Sequence, residues 1–183
     1  MTRAVRSAAP GVVAPRRRVL AIDPALRNTG YAILEMVGAK IAALEYGTIR
    51  NPAALLPSGC LVTIHEKVRE LIERHRPDCA AFESIIYVQS MKTAIVLGTA
   101  RGAALLAAAQ RGLEIHEYAP RRVKQSVVGR GGAQKEQVGF MVRALLGLTE
   151  NPAPDAADAL AIGLTHFQTT GRVGGSLTAA VRI

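Results

Sequence analysis

The chain has 183 residues and a net charge of +9 at pH 7, and nearly half of its residues are apolar. One domain with a sizeable core is therefore expected. Aromatic residues make up only 4% and Trp is absent, so the core packs on Ala, Val, Leu and Ile, which argues against an aromatic platform for stacked bases. The basic excess suits a polyanionic partner, nucleic acid ahead of an anionic membrane surface. Cys60 and Cys79 form no CxxC pair, and His65, His75, His116 and His166 show no zinc spacing; His65-Glu66 opens like HExxH, but Arg69 stands where the second histidine belongs. Both cysteines read as reduced and packed, in a cytoplasmic protein. No uninterrupted apolar run reaches the roughly 20 residues of a membrane helix, so no membrane is expected.

Residues 1–18 hold Arg3, Arg6, Arg16, Arg17 and Arg18 and no acid. Pro10 and Pro15 bracket a stretch too short for a signal's apolar region, so residues 1–17 read as a disordered basic arm. Residues 18–23 form a short apolar strand broken by Pro24. Runs at 30–37 and 41–49, separated by Gly38-Ala39-Lys40, predict a hairpin. Residues 58–75 place Leu61, Ile64, Val68, Leu71 and Ile72 on one helical face, with Pro77 just beyond the end. Residues 79–82 make a fourth strand ending in Glu83, residues 91–110 a small-residue helix, and residues 113–118 a fifth strand. Helices follow near 120–127, 134–147 and 155–167, then a Gly/Ser/Thr-rich flexible tail at 169–183. This order predicts an α/β domain over residues 18–168. Its mixed five-stranded sheet is a three-strand antiparallel meander continued by two parallel strands, with helices on both faces.

Four acids stand where acids are unexpected. Asp23 closes the first strand and Glu83 the fourth; parallel neighbours would bring them side by side. Asp155 and Asp158, three apart in the first turn of the last helix, share one face. Singly, each has an ordinary reading: Asp23-Pro24 is a turn signal, and Asp155 and Asp158 can cap a helix and complement its dipole. Together, in a basic chain, they point to magnesium, a hard cation held by a few carboxylates, water and phosphate oxygens. Two such ions can activate a water and stabilise the leaving oxygen of an in-line displacement. Arg121, Arg122, Lys124, Arg130, Lys135 and Arg143, against Glu136 alone, form a patch that would bind phosphates without reading sequence. Its ordinary reading is a solvated helical face. Gly98, Ala100, Gly102, Ala103 and Ala104 allow close helix packing, with packing on the sheet the ordinary reading.

The element order is that of RNase H-like folds, and particular residues carry a closer resemblance. Residues 19–24 (VLAIDP) with Thr29-Gly30-Tyr31, residues 97–102 (LGTARG), residues 118–129 (YAPRRVKQSVVG) and residues 151–166 (NPAPDAADALAIGLTH) together resemble the crossover (Holliday) junction endodeoxyribonuclease RuvC family. The resemblance implies a homodimer that cuts opposed strands of a four-way DNA junction in recombination and repair, beside the RuvA–RuvB branch-migration complex. It implies two Mg2+ per subunit, with Mn2+ as a substitute, held by catalytic Asp23, Glu83, Asp155 and Asp158, and it places Lys124 and Lys135 near the scissile phosphate. Arg121, Arg122, Arg130 and Tyr87 complete the expected DNA contacts. Ser84 and Ile86 depart from a pattern that often has Gln and Phe there, which makes the adjacent Tyr87 the candidate replacement aromatic; Ala25 stands for the usual Gly. His166 reads as packing or dipole support, or as an aid to proton transfer. Another RNase H-like nuclease acting on RNA–DNA hybrids, or a junction-binding protein without catalysis, stays open. The four acids argue against the latter. An actin-like ATPase would need two related domains and a Gly-rich first turn.

Overall fold

The computed structural model describes residues 15–86 and 90–170 and the backbone of residues 181–182. Strands β1 (Arg16–Asp23), β2 (Asn28–Val37) and β3 (Lys40–Arg50) form the antiparallel meander, turning between β2 and β3 at Gly38 with φ +61°. β4 (Cys79–Glu83) pairs parallel to β1, and β5 (Glu114–Tyr118) parallel to β4. The five predicted strands thus lie in the order β3-β2-β1-β4-β5. A two-residue strand, β6 (Val181–Arg182), pairs antiparallel to β5 from within the segment read as a tail. β1 also begins earlier than its apolar run. Arg16 and Arg18 both reach Glu35 on β2, at 3.5 and 2.6 Å, so a polar pairing extends the strand where hydropathy gives no signal.

Among the described residues, five helices cover the sheet. On one face, α1 (Pro57–His75) and α2 (Met91–Ala109) pack Ile64, Val68, Leu71, Ala100 and Ala104 against Leu20, Ile22, Ile33 and Phe82. α1 begins with Pro57 in its first turn and ends at Arg76, whose N–H reaches Ile72 O, with Pro77 next. On the other face lie α3 (Pro120–Val128), α4 (Lys135–Leu146) and α5 (Pro154–Thr170).

α5 is buried almost all round, from Ala156 to Phe167 apart from Asp158. Its alanines and Gly163 let it lie directly on β1 and β2. A Cβ added at Gly163 would come within 2.5 Å of Leu34 Cδ1 and 3.3 Å of Ala21 Cβ. Among the described residues no other helix contacts the sheet so broadly, and α5 carries two of the four acids.

By length and composition α2 is apolar enough to cross a membrane, although it holds no uninterrupted apolar run of roughly 20 residues. Lys92 and Arg101 interrupt its apolar run, but averaged over the whole helix they do not outweigh the Ala, Ile, Val and Leu around them. In the fold, one side of α2 packs on α1 and β5, and Arg101 is buried in an ion pair with Glu117.

Because Gly163 seats α5 on β1 and β2, Gly163→Val is expected to cost about 1–3 kcal/mol through overpacking. The midpoint of urea unfolding reads this directly.

Candidate active site

The acids meet because of strand parity. Ile22 on β1 is opposite Phe82 on β4, so the next residues, Asp23 and Glu83, are neighbours at the ends of two parallel strands. Alternation puts both on the face that carries Val19, Ala21, Cys79 and Ala81, which is the face under α5. On β2, Gly30 lies opposite Asp23. A Cβ there would sit 2.0 Å from the Asp155 carbonyl oxygen, so only glycine lets the start of α5 rest on the strand. That contact delivers Asp155 and, one turn on, Asp158. The turn after Asp23 is tied by buried Thr29, whose Oγ1 donates to Ala25 O at 2.6 Å and accepts from Ala25 N at 3.3 Å.

The electrostatics record how close the acids are. Burial pushes the Asp23 carboxyl up to about 6, and the charges of Asp158 and Asp155 push the same way against Lys135. Glu83 is pushed up to about 7, first by burial and then by Asp23 and Asp158, with Lys135 and Lys124 opposing. Lys135 Nζ donates to Asp158 Oδ2 at 2.9 Å, and this bond and charge hold its ammonium above the usual lysine range. Buried, crowded carboxylates whose ionisation is opposed in this way, as at Asp23 and Glu83, are a fit for a divalent cation, and an all-oxygen donor set selects a hard one.

A residue to which the sequence reading gave no role of its own supports this centre. Arg101 of α2, 8% exposed, donates from Nη1 to the Glu83 carbonyl oxygen at 2.8 Å and pairs through Nη2 with Glu117. Its guanidinium also stands 5.3 Å from the centre of the Phe82 ring. On the adjacent strand, Tyr118 O accepts from Ser84 N at 2.9 Å. The backbone around Glu83 is thus held from the helix and from β5. The signal in the sequence was a lone arginine inside an otherwise apolar helix.

The basic residues divide. Lys124 on α3 and Lys135 on α4 lie close enough to Glu83 to act on its charge. Arg121 is exposed and its stem lies against the loop after α3: a Cβ on Gly131 would meet Arg121 Cγ at 2.3 Å. Arg130 is exposed and donates to Gln137 Oε1 at 3.2 Å. Arg122 instead turns to the far end of α5, with Nη2 3.4 Å from Thr169 Oγ1. Tyr87 lies outside the described residues, while Ile86 beside it is exposed. His166 is about three turns along α5 from Asp155, in a buried pocket with Tyr118 and Cys79.

A raised carboxyl binds a proton in the folded chain that the unfolded chain releases. Glu83 therefore destabilises the metal-free protein fully above about pH 7 and ceases to do so below about pH 4.5. In EDTA, the Tm of Glu83→Gln relative to the unsubstituted chain is expected to rise between pH 5 and pH 8. A difference that stays flat would take Glu83 out of the crowded group.

The profile of the family described as crossover junction endodeoxyribonuclease RuvC matches residues 19–166. The protein of that name from Akkermansia muciniphila is 58% identical over 150 residues, 82% of this chain and 90% of its own length. Among solved structures, T. thermophilus RuvC in complex with Holliday junction substrate matches with a TM-score of 0.81 at 34% identity, covering 91% of this chain and 99% of that one. The yeast mitochondrial Holliday junction resolvase shares the fold, with a TM-score of 0.58 at 15% identity over 84% of this chain and 80% of its own. Since the matched segment runs from the first strand through α5 and includes every acid of the cluster, the chain belongs to the RuvC family of crossover junction endodeoxyribonucleases.

Proposed function

We propose that this chain resolves four-way DNA junctions by hydrolysing phosphodiester bonds, with Asp23, Glu83, Asp155 and Asp158 holding two Mg2+ per subunit and Mn2+ able to replace them. The observation that carries this is the convergence of the acids on the α5 face at the ends of β1 and β4, with Asp23 and Glu83 pushed up to about 6 and 7. When bound, the metal ions supply an activated water and stabilise the leaving oxygen. We place the nuclease domain at residues 16–170, from the start of β1 to the end of α5.

The protein's own groups prepare that site. Lys135 screens Asp158 in the metal-free chain and stands where an incoming phosphate arrives. Lys124 offers a second ammonium on the opposite helix. Arg121 and Arg130 extend the same positive surface along α3 and the following loop, and contacts of this kind grip phosphates without selecting bases. Arg122, turned to Thr169, serves the DNA less directly. Tyr87, next to exposed Ile86, supplies the aromatic contact near the crossover. Arg101 acts through Glu83, holding its backbone so that the carboxylate keeps one direction.

A junction has two scissile strands, and the chain acts as a two-fold dimer that presents two equivalent centres. The seam is the outer side of α2. Met91, Ile95, Val96 and Leu106 are exposed there, Val62 of α1 adjoins them, and the open space over Gly98 and Gly102 admits close helix packing. Such an apolar strip on an otherwise basic chain is the mark of an interface. In the cytoplasm, the dimer works on junctions presented by the RuvA–RuvB complex.

Asp23→Asn is expected to abolish cleavage of a synthetic four-way junction in magnesium while junction binding stays measurable; cleavage at an undiminished rate would remove the metal centre. Linear duplex and RNA–DNA hybrid in the same assay separate junction resolution from other nuclease activities. Arg101→Gln should slow cleavage about 10- to 100-fold, the range for groups that orient metal ligands. Arg101→Lys should recover part of that rate, with junction binding little changed in both. Leu106→Glu should shift the chain from dimer to monomer in sedimentation equilibrium.

A further inference from the structure

At the other end of α5 the fold assembles a second set of metal-ligating side chains. Among the described residues, Cys79, His116 and His166 offer one donor atom each, and all three atoms lie within 4.8 Å of one another. Cys79 Sγ is 3.3 Å from His166 Nε2. The three belong to three elements: the first residue of β4, the middle of β5 and the last third of α5. Cys79, His116 and His166 are 9%, 9% and 5% exposed.

This cluster is separate from the carboxylates. Cys79 and Glu83 are the two ends of β4, which places them about 13 Å apart along an extended strand. His166 lies about 16 Å along α5 from Asp155. The donors differ as well. Carboxylate oxygens suit magnesium, whereas one thiolate and two imidazoles suit a borderline or soft cation and offer little to a hard one.

We propose that Cys79, His116 and His166 bind one Zn2+ that fastens α5 to β4 and β5. The surrounding groups fit this role. Tyr118 Oη is 2.9 Å from His166 Nδ1, so the ring's other nitrogen is anchored while Nε2 is directed at Cys79. Glu114 Oε1 is 3.1 Å from His116 Nε2, a carboxylate beside an imidazole. Outer partners of this kind fix the tautomer and orientation of metal-bound histidines. Three protein donors leave one position of a tetrahedron for water. The ion ties the distal end of the helix whose first turn carries Asp155 and Asp158, so it steadies the nuclease centre from a distance without touching the substrate.

The full chain, freed of metal with a chelator and shown by circular dichroism to be folded, is titrated with Co2+ in excess Mg2+. The expected result is one equivalent of Co2+ giving a thiolate-to-metal charge-transfer band in the near ultraviolet, bleached by one equivalent of Zn2+. The carboxylate centre has no sulfur and cannot produce it. The band should persist in Cys60→Ser and Asp23→Asn and be lost in Cys79→Ser. Absence of a sulfur band in the unsubstituted chain overturns the proposal, as does its loss in Cys60→Ser or its persistence in Cys79→Ser. The chain has two cysteines, so a band kept in Cys60→Ser can come only from Cys79, and that variant decides even where Cys79→Ser does not fold.

Discussion

Carboxylates of like charge resist being held together away from water, and the architecture of this chain is organised around doing so. Two parallel strands end in register on Asp23 and Glu83, and a nearly all-buried helix begins against the same strand ends. Neither strand could move by one residue without turning its acid to the opposite face. The rigidity needed to hold repelling groups comes from the two packed layers behind them, α1 and α2 on one side, α3, α4 and α5 on the other. A divalent cation held among them would remove that repulsion.

α5 is the element through which most of this passes. Gly30 admits its first turn to the strand ends, Gly163 lets its middle settle on Ala21 and Leu34, and His166 meets Cys79 near its end. A helix fixed at three places has little freedom to tilt, and Asp155 and Asp158 inherit that restriction. α2 plays the corresponding part on the other face. Its inner side carries Arg101 to the backbone of Glu83, while its outer side stays apolar and exposed. The same helix therefore joins an exposed apolar surface to the geometry of the acid cluster.

The strands, the helices and their order were legible because each rests on a local pattern: an apolar run before Pro24, a 3.6-residue period from Leu61 to Ile72, Pro77 after a helix end. The acids stood out for a related reason, as charges closing runs that were otherwise apolar. Boundaries set by polar pairing were not legible. Arg16 and Arg17 looked like the end of a basic arm, yet Arg16 shares Glu35 with Arg18 and the strand extends through both. β6 left no signal either, since two residues hold no period. Counting uninterrupted apolar runs also understated α2, where Lys92 and Arg101 break the run without making the helix polar.

Histidine and cysteine spacing likewise gave no sign that three of these side chains meet in space. Zinc motifs are recognisable when ligands lie a few residues apart; Cys79, His116 and His166 are brought together by a parallel strand pair and a helix laid across it. Likewise, Arg122 belongs by sequence to a basic run with Arg121 and Lys124, but helical rotation sends it towards Thr169. By itself, the sequence determined the elements, their order and the chemical types available, because these depend on contacts between near neighbours along the chain. Only the tertiary structure decided which of those groups meet. That outcome depends on strand register, on sheet face and on the absence of a Cβ at Gly30 and Gly163, which are relations between segments that no local pattern encodes.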